Sequence, residues 1–483
     1  MRNLTIERTA IFILFALLFA IAIRVPTDTD TWWHIRSGEY TLTQGMIHGD
    51  PFSHTFEGES WTNHSWGSQI ILRAVWEIAG NTGLALYAAI LAVGGMALLY
   101  KISAGNVYLR AFILILGAST AAVFWSARPQ MLSFFFSTAI LYIVYSYKRG
   151  GKDWLWFIVP LMCLWGNIHA GWSIGYLFLI AVIVGEALNN LLGIDEHIIG
   201  WKAWRKLLIA TAISIPCLAL SPYGIDNLLV PFKTINIDSL RAFIQEWQSP
   251  NFQGRETWPF IAMIMLLFMS LWLGRLKFDW SSFFLLIGTL FLALLYGRNI
   301  AVFAVAATPI LTYHLDNALT ERGYILRTRQ SISPMMARLN LLMIVIVVLA
   351  VLGYGFSLLL PKNVEKVQSE YLPVDIARYM TDNDLPQPMF NSYNWGGYLM
   401  FAAPDYPVFV DGRTDLYGEF VDVYRKIALA IGNWQAILDE YGINMIVIER
   451  NSPLDIALRD SSIWQLDYED ELAVIWLRSK NNE

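Results

Sequence analysis

Asp28-Thr-Asp30-Thr-Trp-Trp-His34, then Glu39, Asp50-Pro-Phe-Ser53 and Asn63-His64 after Trp61, make the densest polar cluster of this chain. A carboxylate at a low-dielectric boundary can act as general base toward a hydroxyl. It can equally ligate a divalent cation that neutralises a phosphate or diphosphate leaving group. Two carboxylates two residues apart share one side of an extended segment but diverge in a turn or helix start. Where only one of them faces a cavity, Asp30 is favoured. The candidate metal shell is Asp28, Asp30, His34 and His64, for Mg or Mn. A quieter reading fits the same residues, with Asp28 capping a short helix and the histidines tying the loop down.

Further polar residues fall at the ends of apolar runs: Arg128-Pro-Gln130, Asn167-Ile-His169, Glu246-Trp247 and Arg298-Asn299. The arginine fork suits a phosphate, although Arg128 and Arg298 would also serve as headgroup-reaching side chains. His169, close to Gly171, suits an interhelical hydrogen bond as well as a site. The stretch Asp238 to Arg255, with Glu246 inside it, offers acid, aromatic and amide groups for a sugar acceptor, or is an ordinary surface loop.

The elements that must position these residues are apolar. Of 483 residues, 56% are hydrophobic and only 15% charged, against roughly 25% charged in soluble domains. Runs of the length that spans about 30 Å of hydrocarbon as helix fall near 8–25, 83–100, 110–127, 130–147, 154–168, 172–192, 207–221, 258–274, 280–297, 299–316 and 340–360. The fold expected is a mainly α polytopic membrane protein with about eleven transmembrane helices. A cytoplasmic N-terminus puts sixteen Lys and Arg inside and eight outside before residue 361, so the charge rule favours it. Loops 26–82 and 222–257 then lie on the external face together with the C-terminus. From Trp66 to Trp76 the apolar spacing is that of an amphipathic helix along the interface.

Residues 1–360 are read as the transmembrane part and residues 361–483 as an external soluble α/β domain with 10 Lys and Arg against 20 Asp and Glu. Short β-rich runs at Met389–Tyr393, Val408–Asp411, Met445–Ile448 and Ala473–Trp476 alternate with helical stretches near 419–430 and 434–441. Asp411 and Arg413 are placed to pair in a structural turn. The domain is expected to cover the cavity or steer acceptors toward it.

Both cysteines, Cys163 and Cys217, lie inside apolar runs, which leaves no Cys-based zinc site. No glycine-rich phosphate loop, GxSxG or HExxH occurs, so ATP-driven transport, serine hydrolysis and zincin proteolysis lack a motif. No basic stripe points to nucleic acid.

The segments Asp28–Gly38, Asp50–Thr55, Trp61–Trp66, Trp165–Gly171, Ser221–Gly224, Phe390–Tyr398 and Phe409–Arg413 give the chain, over nearly its whole length, a pattern that resembles the polytopic GT-C glycosyltransferases. The likeness is strongest to the bacterial branch related to family 39 mannosyltransferase-like proteins. The resemblance implies transfer of a sugar from a polyprenyl-phosphate-linked donor to a glycan, lipid or protein acceptor, on the external face of the cell membrane. It implies a general-base or metal-holding role for Asp28 or Asp30, and Arg128, Arg241 or Arg298 as partners of the donor phosphate. This chain carries Ser65 where related sequences often have an acidic residue after the Asn-His pair. The alternative is a non-catalytic membrane protein that binds or translocates a polyprenyl-linked glycan.

Overall fold

A computed structural model describes residues 4–193, 198–235, 237, 244–276, 278–324 and 332–479. Each of the eleven apolar runs coincides with a helix. In chain order the first elements are α1 (Ile6–Ala22), α2 (Asp30–Gln44), α3 (Trp66–Ile102), α4 (Val107–Ala121), α5 (Gln130–Lys148), α6 (Ile158–Gly166), α7 (Trp172–Leu192), α8 (Gly200–Cys217) and α9 (Asp226–Ile235). Helices Trp258–Leu273, Trp280–Leu295, Ile300–Glu321 and Pro334–Leu358 complete the apolar set. Six of the described helical stretches are long and apolar enough to cross a membrane, among them Trp66–Ile102, Gln130–Lys148 and Pro334–Leu358. The protein is a multi-pass membrane protein.

Local chemistry sets several helix starts. The Asn106 side chain accepts from the Tyr108 and Leu109 amides, and Asp279 and Ser333 cap their helices in the same way, each satisfying an otherwise orphaned N–H. α3 begins at Trp66, as its amphipathic spacing predicts, but runs on through a break at Gly80 (φ 52°) into the next apolar run. Glycine adopts this left-handed backbone without steric cost, so one helix contains both the loop segment and a span.

Helix Ile300–Glu321 is the axis of the bundle, buried from Ile300 through Thr312 and packed on α4, Trp258–Leu273 and Trp280–Leu295. Its small residues Ala301, Ala304, Ala306 and Ala307 let neighbouring backbones approach closely. Helix Pro334–Leu358 is nearly bare by comparison. It rests on α1 and leaves Leu349 and Phe356 exposed, the surface expected of a helix bathed in lipid.

The first loop holds a 15-residue helix, α2, that its polar composition concealed. α2 packs on α3 and on helix Tyr393–Ala402, with Trp32 in edge contact with Trp76 and Tyr398. Near the C-terminus, strands β1 (Met389–Asn391), β2 (Met445–Glu449), β3 (Trp464–Glu469) and β4 (Ala473–Arg478) form one sheet in the order β1-β2-β4-β3. The β1-β2 pair is parallel and the other pairs antiparallel. The segment Val408–Asp411, read as a strand from its apolar run, is not in this sheet. Val408 instead bridges Ser53 of the first loop, its N–H donating to Phe52 O at 3.1 Å and its O accepting from His54 N at 3.1 Å. β3, Trp-Gln-Leu-Asp-Tyr-Glu, went unanticipated although it alternates apolar and polar residues and buries Trp464 while Gln465, Asp467 and Glu469 face out. The other strands were read from apolar runs, and this half-buried edge strand has none.

First loop and C-terminal part are locked by a buried charge cluster. Arg413 Nη1 donates to Asp50 Oδ1 at 2.5 Å, while Nη2 donates to Asp411 Oδ2 at 2.6 Å, and all three side chains are fully buried. Asp50 meanwhile accepts from the Phe52 and Ser53 amides, closing the loop's own turn. The expected Asp411–Arg413 pair therefore exists, with a third member from far away in the sequence.

Candidate active site

The chain ends of several helices meet around a cavity of about 940 Å³. Asp28 and Asp30 enter from the start of α2, Arg128 from the turn before α5, and His169 from the α6–α7 junction. Glu246 and Arg298 belong to short helical turns at 245–247 and 297–299. His34 and His64 also line it, so the structure brings together every described site residue that the sequence singled out. Arg241 lies outside the described residues.

Arg128 is the hub. Its Nη2 stands 2.8 Å from Asp30 Oδ2, and its Nη1 reaches Asp28 Oδ2 at 3.2 Å and Glu246 Oε1 at 3.0 Å. The two aspartates stand at a helix start, where divergence was expected, yet both turn to one guanidinium. The Asp28 side chain also accepts the Asp30 amide at 3.0 Å, although the N-cap position of α2 is Thr29 rather than Asp28.

Electrostatics divide the three acids. Burial, with Arg128 opposing, raises the Asp30 carboxyl to about 6. Glu246 is also pushed up by burial, but Arg128 and Arg298 overcome this and hold it below the usual range. Arg128 is penalised by burial, yet its three acids keep it well above an ordinary arginine. Arg298 is lowered by burial and lies over the Trp247 ring at 4.6 Å, still a cation as guanidinium groups are.

The histidines are held differently. His34 Nδ1 meets the amide nitrogen of Gln69 at 3.3 Å, and Gln69 is fixed by two hydrogen bonds to Asn63. His169 Nδ1 accepts from Gly171 N at 3.1 Å and lies 2.8 Å from Ser133 Oγ. Burial keeps both imidazoles well below their ordinary value. With Nδ1 accepting, each neutral ring carries its proton on Nε2. His64 Nδ1 faces Asp415 Oδ2 at 3.6 Å.

Among the described residues no group of three or more His, Cys, Asp or Glu side chains could hold a metal ion. The point between Asp28, Asp30 and Glu246, where a divalent cation would sit, is held by the Arg128 guanidinium. The residues present do not fit the metal shell expected from Asp28, Asp30, His34 and His64.

The C-terminal part, expected to cover the cavity, contributes to its wall through residues that sequence reasoning did not single out as site residues: Tyr393, Asn394, Gly412, Thr414 and Asp415. Gly412 approaches so closely that a Cβ there would lie 2.0 Å from Asp30 Oδ1. The signal available was the turn Asp-Gly-Arg-Thr-Asp after an apolar run, which carries acids but no spacing that names a partner. Away from this polar end the cavity becomes apolar, lined by Phe134, Ile174, Leu177, Leu292, Val302 and Val305.

The fold is similar to that of several solved membrane-protein structures. ArnT from Cupriavidus metallidurans in the apo state aligns with 96% of this chain and 97% of its own, at 13% identity and TM-score 0.57. The archaeal oligosaccharyltransferase AglB from Archaeoglobus fulgidus, in complex with an inhibitory peptide and a dolichol-phosphate, aligns with 99% of this chain and 75% of its own, at 11% identity and TM-score 0.58. The arabinofuranosyltransferase AftD from Mycobacteria aligns over 100% of this chain and 41% of its own, at 13% identity and TM-score 0.50. No protein-family model and no curated protein sequence matches the chain.

Proposed function

We propose that the protein is a glycosyltransferase that moves a sugar from a polyprenyl-phosphate-linked donor to an acceptor hydroxyl on the external face of the cell membrane. The observation that carries this reading is Arg128 fixed between Asp28, Asp30 and Glu246 at the polar end of a cavity whose other end is apolar. Such a gradient suits a ligand with a charged head and a prenyl tail. The charge count supports the cytoplasmic N-terminus and external 361–483 region.

In this reading Asp30 takes the proton of the acceptor hydroxyl as its oxygen bonds to the sugar carbon. The bond from that carbon to the phosphate oxygen breaks, and prenyl phosphate departs. Arg128 and Arg298 stabilise the charge growing on the leaving phosphate, the larger contribution to rate, while the base supplies about 10²–10⁴-fold. Asp28 holds Arg128 and the Asp30 amide in register.

The test is purified protein in proteoliposomes with a panel of polyprenyl-phosphate sugars, read as prenyl phosphate released, with Asp30→Asn in parallel. Release by wild type and its loss in the variant support transfer. Absence of release with every donor, while a donor still binds, favours the glycan-binding alternative.

A further inference from the structure

Asp30 has both oxygens engaged, Oδ1 by Trp33 Nε1 at 3.1 Å and Oδ2 by Arg128. Across the same cavity the polar groups are poorly satisfied. Ser65 Oγ and Trp125 Nε1 are buried and, among the described residues, have no hydrogen-bond partner, while His64 Nδ1 has only the long contact of 3.6 Å to Asp415 Oδ2; all three residues line the cavity. Buried polar atoms left unmade cost on the order of 1–3 kcal/mol each, and a cavity surface that retains them is one shaped for a polar ligand.

Asp415 is the charged member of this wall. Trp61 Nε1 donates to its Oδ2 at 3.0 Å and His64 stands 3.6 Å away. Burial pushes this carboxyl up, but His64 and Trp61 more than compensate and hold it below its ordinary value, so it is an anion. The turn that presents it is anchored by the neighbouring Arg413 to Asp50 and Asp411, which fixes the carboxylate without long side-chain freedom.

We propose that His64 and the 412–415 turn build an acceptor subsite for a neutral, hydroxyl-bearing sugar. The inference rests on the glycosyl-transfer reading and names its acceptor class. A sugar hydroxyl donates to the free lone pairs of Asp415, another pairs with the His64 imidazole, and the Trp33 indole lines the same cavity, braced from behind by Trp61 at 6.1 Å between ring centroids. An anionic acceptor is repelled by Asp415. An ammonium acceptor is disfavoured by Arg128 and Arg298, whose charges already reach His169 in the same cavity.

The test is binding, followed by intrinsic tryptophan fluorescence of the full-length protein. The probes are methyl α-glucoside, methyl α-mannoside and methyl β-galactoside, with glucosamine and tetra-alanine for comparison. At least one neutral glycoside should bind saturably, and Asp415→Asn and His64→Gln should each weaken it roughly tenfold or more. Glu365→Gln, at an exposed pair with Arg378, should bind like wild type. No response to any glycoside, wild-type affinity in both site variants, or tighter binding of glucosamine or the peptide overturns the proposal. Prenyl phosphate release is followed in the same samples. Glycoside binding lost in both site variants, with no release from any donor, sinks the transfer reading while the sugar subsite stands.

Discussion

Arg413 and Asp50 form an ion pair of 2.5 Å from which water is excluded on both sides. Arg413→Ala leaves Asp50 and Asp411 buried without their cation, and breaking such a pair costs about 3–5 kcal/mol. Thermal unfolding of the detergent-solubilised variant should show a corresponding fall. Arg413→Lys should recover only part of it, because an ammonium cannot reproduce the fork that serves both acids. A loss below about 1 kcal/mol in the alanine variant, within the range of ordinary surface changes, contradicts the account.

The acid limb of turnover should report Asp30. A general base works deprotonated, and Asp30 is raised to about 6, so the rate should climb with pH through about 6 and level off above it. Asp30→Asn should remove both the limb and most of the activity while the protein stays folded and inserted. A pH-rate profile of wild type that is flat from 5 to 7 would falsify the assignment.

Arg128→Gln removes the main group that opposes burial at Asp30. The acid limb should therefore move to higher pH, and maximal turnover should drop by about 10²-fold or more because the leaving phosphate loses its fork of donors. An unchanged limb with lower turnover would separate Arg128 from the control of Asp30.

Gly412→Ala places a methyl group 2.0 Å from Asp30 Oδ1, so the carboxylate or the turn must shift. Displacements near 1 Å at a reacting group cost on the order of 10²-fold. The expected result is a large fall in turnover with a smaller stability loss than in Arg413→Ala. Normal kinetics in this variant would show that the turn relaxes freely.

The bundle was legible in the sequence because every span announces itself by its apolar length, and no polar run of this chain competes with that signal. The residues of the polar end were legible too, since Asp28, Asp30, Arg128 and Arg298 follow or separate apolar runs and Glu246 lies in the hydrophilic loop 222–257 between two of them. What escaped was pairing across distance. Nothing in the spacing of Val408–Asp411 says that its backbone bonds to Ser53 and His54 rather than to a sheet. Asp415 reads as a surface turn until Trp61 and His64 are seen against it. α2 was hidden for another reason. Its polar residues face the cavity and the Arg36–Glu39 pair, so its sequence lacks the apolar face of a helix packed on a single side.

The lock between Asp50 and Arg413 joins residues 363 positions apart. A ribosome therefore completes the first loop and every apolar helix before the partner of Asp50 exists. Until the 412–415 turn emerges and docks, Asp30 lacks its Gly412 neighbour and the cavity lacks one wall. The growing chain carries an incomplete cavity, and the finished site arrives as a single late event when synthesis is almost over.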